Sequence, residues 1–133
     1  EEAIRMVDSE TSVEAFAAAA SATCGPVGLD CEWPPAEMLV SICQVAIDDV
    51  VWILDLIWAR DVGNQEVPAA FCRLLADSSV QKLGFGFQED LDRLSASLPS
   101  SESRPHICNF VDLQVDKRGL AALLRGEVGL HLD

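Results

Sequence analysis

The chain contains no tyrosine, and between Arg5 and Arg60 it contains no lysine or arginine. Nine basic residues stand against 22 acidic ones, for a formal net charge of −13. A protein that holds polyanions by its own charge clusters Lys and Arg, so that class is excluded. Any phosphate-bearing partner has to be met by something other than net protein charge. Long apolar runs are missing too: none reaches the roughly 18–20 residues that a membrane span needs, so no membrane partner is expected. The opening EEAIRMVDSE has no basic segment before an apolar one, so a secretory signal peptide is not expected there. The five cysteines (Cys24, Cys31, Cys43, Cys72, Cys108) include no CxxC pair and no nearby histidine cluster. An odd count without such spacing speaks against both a zinc site and a secreted disulfide framework. They read as reduced, mostly buried thiols of an intracellular protein, in cytoplasm or nucleus, with no cysteine set beside an activating base.

What is present is a core-forming composition. Half of the 133 residues are hydrophobic and the mean hydropathy is +0.22, which suits one domain over residues 1–133. The acid is uneven. Residues 1–70 carry 13 acidic and 2 basic side chains, while residues 71–133 carry 9 and 7. Carboxylates of the first half are therefore solvated, paired from the second half, or held by a metal ion.

Periodicity gives the element order. AIRMVD (3–8) suits an edge strand, and Thr11 with Glu14 has capping-box spacing ahead of an Ala-rich helix over 13–21. Strands follow at VGLDCEW (27–33), LVSICQVAI (39–47) and VVWILDLI (50–57), the last two separated only by Asp48-Asp49, which is hairpin spacing. Their β-branched and aromatic content predicts a sheet covered on both faces. A helix over 67–78, a strand over 80–87, a helix over 88–98, a strand over 106–115 and a helix over 119–130 complete the chain. Three strands in meander followed by alternating helix and strand give an α/β fold. Its mixed sheet combines an antiparallel three-strand meander with parallel strands, flanked by helices.

Chemistry concentrates at Asp30 and Glu32. Strand side chains alternate, so these two carboxylates share one face while Leu29, Cys31 and Trp33 share the other. Two acids on one face of an apolar strand repel each other and lose hydration. Either the strand end opens to water, or a divalent cation such as Mg²⁺ takes their oxygens. In GFGFQEDLDRL (84–94) a strand runs into a helix whose first turn carries Glu89 and Asp90, which suits the helix dipole and can lean a carboxylate over the strand ends. Asp92 should face elsewhere. Gly84 and Gly86 allow close packing or a bulge, because no Lys or Thr follows to make a phosphate loop.

In this order, VGLDCEWPP, LVSICQVAI, VVWILDLI, VQKLGFGFQEDLDRL and NFVDLQ resemble the DEDD 3′–5′ exonuclease superfamily, nearest the ribonuclease D, Werner-exonuclease and Nibbler branches. The resemblance runs from about Val27 to Leu132. It implies an RNase H-like fold and phosphodiester hydrolysis assisted by two Mg²⁺ or Mn²⁺ ions. Asp30 and Glu32 match the D-x-E metal ligands of the family's first motif, and Asp90 the aspartate of its second. Those three residues are thereby both the implied catalytic residues and the implied metal ligands. No role transfers to Glu89, Asp92 or Asp112, the last being part of a core strand feature. Two such ions about 3.5–4 Å apart would supply the positive charge that the protein lacks.

One part of the family pattern is missing. A Tyr-x-x-x-Asp or His-x-x-x-Asp motif should follow the GLAALL segment by some tens of residues, whereas the sequence reaches only Gly129-Leu130-His131-Leu132-Asp133. His131 and Asp133 are two apart and match nothing. The WPPAEML connection is also shorter than the family's. The resemblance therefore implies a domain truncated at its C-terminus and a fragment with weak or no activity. His106 reads as a surface or packing residue. Trp33, Trp52 and Trp58 read as core or edge aromatics, with Trp33 placed to line a nucleotide pocket. Lys117, Arg118 and Arg125 form a solvated basic face able to meet phosphate. The expected partners are single-stranded RNA or DNA 3′ ends, with protein partners through other regions of a longer chain. RNA trimming of the Nibbler type comes first, a Werner-like DNA exonuclease second, and a non-catalytic scaffold binding RNA or protein is the rival class.

Overall fold

In the computed structural model, which describes residues 3–37, 39–98 and 105–114, the first apolar stretch forms β1 (Ile4–Val7) and leads into α1 (Glu10–Ala22). Ser9 keeps extended backbone (φ −154°) and caps α1: its Oγ accepts from the Ser12 N–H at 3.2 Å, and Ser12 Oγ accepts from the Ser9 N–H at 3.0 Å. The capping box thus falls two residues before the Thr11–Glu14 pair. Helical backbone already starts at Glu10, which leaves Thr11 inside the first turn.

Three strands follow: β2 (Val27–Glu32), β3 (Ile42–Ile47) and β4 (Val50–Asp55). Ile47 pairs with Val50 across the Asp48-Asp49 turn, where Asp48 takes a left-handed backbone (φ 53°) that a short polar side chain tolerates. β4 stops two residues before the predicted end. The Asp55 carboxylate accepts from the Trp58 N–H at 2.9 Å and converts LDLI into the start of α2 (Leu56–Val62), a helix that strand-like composition concealed. β3 begins late because the Val40 N–H is taken by Ser97 Oγ (2.7 Å), outside the sheet. α3 (Glu66–Ala76), β5 (Lys82–Gly84), α4 (Phe87–Ser97) and β6 (Phe110–Asp112) complete the described elements. The predicted helix over 119–130, the basic group Lys117, Arg118 and Arg125, and His131 with Asp133 lie outside the described residues.

The sheet order is β1-β4-β3-β2-β5-β6. β1 and β4 run parallel, β4–β3 and β3–β2 antiparallel, and β2–β5 and β5–β6 parallel, the mixed sheet expected from the sequence. Register aligns side chains in rows across β2, β3 and β4. Leu29, Val45 and Trp52 align across the strands, as do Cys31, Cys43 and Leu54; all six are buried. On this face Phe16 of α1 meets the Trp52 ring edge-on at 5.8 Å. The opposite face carries the row Asp30, Gln44 and Ile53, and it is only half-buried among the described residues. Among the described residues the first face is the closely covered one, and β-branched residues fit a half-open pleat as readily as a closed one.

Lys82 is the unforeseen core member. It is fully buried in β5, and its ammonium donates to the Asp77 carbonyl oxygen. Burial pushes its pKa down while the Asp77 carboxylate pulls it back up.

Candidate active site

The site forms where β5 gives out. β5 pairs with β2 only at Val27 and Gly28, so further along β2 the edge on that side has no strand partner among the described residues. The start of α4 fills the gap. Asp90, in its first turn, accepts a hydrogen bond from the Cys31 backbone N–H and so comes beside Asp30 and Glu32. The β2 alternation is as predicted: Leu29 and Cys31 are buried, Asp30 and Glu32 exposed on the other side. Asp90 is 7 % exposed. Glu89 points outward and faces Arg93 one turn on at 3.7 Å, and Asp92 is exposed.

A tight turn delivers α4 to this position. Gly86 caps the helix with left-handed backbone (φ 63°), and its N–H is held by Asp112 Oδ1 at 2.9 Å. The same oxygen accepts from the Gln114 N–H, also at 2.9 Å. Asp112 is thus structural, as expected from the sequence, and its contribution is specific. It ties the end of β6 to the turn that places Asp90. Asp112→Ala removes the acceptor from both N–H groups. It should destabilise the protein by about 1–2 kcal/mol, measured by urea denaturation. A change below a few tenths of a kcal/mol would show that the turn holds without it.

Electrostatics mark the cluster as incomplete. Burial, then the Asp30 charge, then Glu89 and Glu32 push the Asp90 carboxyl up to about 6, against the opposing pull of the Cys31 N–H. Among the described residues the ion pairs are Arg73–Glu66 and Arg93–Glu89, and neither compensates Asp30, Glu32 or Asp90. Three hard oxygen donors with uncompensated negative charge fit a cation of the Mg²⁺ or Mn²⁺ type. Among the described residues, no three acids, histidines or cysteines stand close enough together to hold a metal ion as they are placed.

Three features escaped sequence reasoning. The Arg93 guanidinium lies 4.3 Å above the Trp33 ring and donates to the Glu37 carbonyl at 3.1 Å. It therefore straps the segment leaving β2 onto α4; the Glu89–Arg93 spacing on α4 was its only trace in the sequence. Trp33 packs half-buried against the core beside this contact, as does Trp58 elsewhere, while Trp52 is buried. Second, Cys31 and Cys43 face each other with sulfurs 3.0 Å apart. The Cys43 hydrogen bond and burial push the Cys31 thiol far above its ordinary value. Third, His106 Nε2 sits 3.1 Å from Cys108 Sγ, so one cysteine does stand beside a base, contrary to the expectation from spacing. The residues lie two apart on a segment with strand-like composition, where both point to one side. His106 is otherwise exposed, a surface residue as expected.

Known proteins share this architecture. A family model described as 3′-5′ exonuclease matches residues 4–131. The human protein named exonuclease mut-7 homolog is 35% identical over 83 residues, covering 56% of this chain and 10% of that protein. The crystal structure of Trypanosoma brucei RNase D in complex with RNA U12 superposes with a TM-score of 0.76 at 20% identity, over 98% of this chain and 48% of that one. The Aedes aegypti Nibbler EXO domain gives 0.77 at 21% identity, over 100% of this chain and 72% of that one. The chain thus spans a tenth of the human relative and about half of the RNase D chain. The shared architecture is the RNase H-like fold. Among the described residues no helix is long and apolar enough to cross a membrane.

Proposed function

Because the chain belongs to the 3′–5′ exonuclease family, we propose that it forms a single exonuclease-like domain that acts on nucleic-acid 3′ ends with divalent metal, RNA preferred. Asp30, Glu32 and Asp90 are the residues that would hold Mg²⁺ or Mn²⁺. The observation that carries this reading is the buried Asp90, held near pKa 6 by burial and by the Asp30 charge, with no cation compensating it among the described residues. When bound, a pair of such ions supplies activation of the attacking water and stabilisation of the leaving 3′ oxygen. The chain's own residues do the positioning. Strand β2 presents Asp30 and Glu32 two residues apart on one face, α4 brings Asp90 from the side, and the Arg93–Trp33 contact ties the two elements together. Preference for RNA is supported by the fold shared with RNase D in its RNA complex and with Nibbler.

The 133 residues contain no Tyr-x-x-x-Asp or His-x-x-x-Asp, so this polypeptide alone lacks the residue that would orient the water and a further ligand. We therefore expect metal binding to be the stronger signal and hydrolysis to be slow or absent. Calorimetric titration of Mn²⁺ into the wild type and Asp30→Asn tests the reading, beside incubation with 3′-labelled RNA and DNA. Asp30→Asn should bind Mn²⁺ at least about tenfold more weakly. Equal affinity for both proteins would favour a non-catalytic scaffold. Faster shortening of DNA than of RNA would favour the Werner-like alternative, and rapid Mg²⁺-dependent degradation would refute the expected inactivity.

A further inference from the structure

Two of the five cysteines are placed differently from the rest. Cys24 is exposed and Cys72 and Cys108 are half-buried, whereas Cys31 and Cys43 are 5 % and 0 % exposed and directly opposed in the antiparallel β2–β3 register. Their sulfurs are 3.0 Å apart, and closing them into a disulfide of about 2.0 Å needs an approach of only about 1 Å. Cys31 lies between Asp30 and Glu32 in β2, and its backbone N–H is the one that Asp90 accepts. The bond would therefore form directly behind the acid cluster.

We propose that Cys31 and Cys43 are a disulfide-forming pair, oxidised by peroxide, whose closure shifts the strand carrying Asp30 and Glu32. Directly opposed strand residues have Cβ atoms about 4.5–5.5 Å apart, while a disulfide holds them at about 3.5–4.5 Å. Closure draws β2 toward β3 at Cys31 and moves its two acidic neighbours. The same mismatch leaves the bond strained, and strained disulfides are the readily reduced ones. Cys31, the slightly more exposed residue of the two, reacts first: its thiol and one peroxide give a sulfenic acid and water. The Cys43 sulfur then attacks that sulfur, forming the S–S bond and releasing a second water. Two thiol hydrogens and one peroxide are thereby consumed for each disulfide and two waters. Both thiols rest buried, so the reaction falls toward the slow end of the roughly seconds-to-hours range of disulfide formation.

The test treats the 133-residue protein with hydrogen peroxide, then quenches, unfolds and alkylates it. Trypsin cannot separate the pair, because no Lys or Arg lies between Arg5 and Arg60. Cleavage after glutamate does, since Glu32 and Glu37 fall between Cys31 and Cys43. The expected result is a Cys31–Cys43 linked peptide, abolished by dithiothreitol and absent from Cys43→Ala. A Cys24→Ala/Cys72→Ala/Cys108→Ala variant retains only the pair and should give the same product, which keeps the test decisive if Cys43→Ala does not fold. Full alkylation of both Cys31 and Cys43 after oxidation would overturn the proposal. Oxidation should also weaken Mn²⁺ binding on the order of tenfold, the scale at which disturbing groups behind metal ligands acts, and reduction should restore it. A linked peptide with unchanged Mn²⁺ affinity would overturn the effect on the acids. The peptide result does not depend on nuclease function: a reduced protein that binds no Mn²⁺ would sink the exonuclease reading and leave the disulfide standing.

Discussion

Asp90→Asn is expected to stabilise the metal-free protein at neutral pH while weakening Mn²⁺ binding by tenfold or more. The folded protein raises the Asp90 carboxyl from its ordinary value of 3.8 to about 6, through burial first and the Asp30 charge second. Between those two values the folded state binds more protons than the unfolded one. The contribution of Asp90 to stability is therefore most favourable below about pH 4 and is lost as pH rises through about 6. Converted in full, the shift corresponds to about 3 kcal/mol. Water reaches part of the carboxylate and screens its neighbours, so about 1–2 kcal/mol is the expected cost of ionising it. Asparagine still offers an oxygen to the Cys31 N–H but carries no charge. In chelator, urea denaturation at pH 4, 5, 6 and 7 should show wild type and variant nearly equal at pH 4, separating as pH rises to about 6, and holding a steady gap above it. A constant difference across that range would show that Asp90 is not held in the protonated form by its surroundings. A site more stable without its own ligand is the physical signature of residues arranged for a cation and not for the fold.

Gly84→Val should cost about 1–3 kcal/mol, the range for forcing atoms into a filled space. A Cβ at Gly84 would lie 3.0 Å from the Phe87 Cβ and 3.0 and 3.1 Å from two ring carbons of Phe110, and valine adds two further methyl groups. Phe87 is fully buried and stacks obliquely on the half-buried Phe110 at 5.6 Å, so the Phe87 side cannot give way without opening the core. Gly84 is thus required by close approach. Gly86 is required by its left-handed backbone, since a Cβ there meets only the movable end of Gln114. Because Phe87 begins α4, displacing it should carry Asp90 away from Asp30. The denaturation midpoint should fall, and the stability loss between pH 4 and 6 should shrink with it. A full-sized pH effect in a destabilised Gly84→Val would show that the turn bends without moving the carboxylate.

Much of this arrangement is legible in the sequence, for local reasons. Alternation along VGLDCEW puts Asp30 and Glu32 on one face, and that is where they stand. The glycines of the GFG turn read as allowing close packing or a bulge; Gly84 meets the close packing, while Gly86 serves the left-handed backbone of the turn. Errors arise where a local rule has two valid solutions. Ser9–Ser12 and Thr11–Glu14 both have capping-box spacing, and the end of β1 selects the first. LDLI is good strand composition, yet the Asp55 cap turns it into helix.

By itself the sequence determined the alternation of strands and helices, the sharing of one face by Asp30 and Glu32, and the resemblance that pointed to a metal-dependent nuclease. These rest on spacings of a few residues, where backbone geometry leaves little choice. The tertiary structure decided which distant groups meet. Cys43 stands opposite Cys31 across 12 positions, Asp112 holds Gly86 across 26, and Arg93 reaches Glu37 across 56. Nothing local encodes those pairs, because strand order, register and the path of the connections set them together. The same assembly, by ending β5 after two pairs with β2 and setting α4 in the gap, decided the electrostatics of Asp90. Its carboxyl is ordinary in sequence and is pushed up by burial first, then by the charge of Asp30, with Glu89 and Glu32 adding to it.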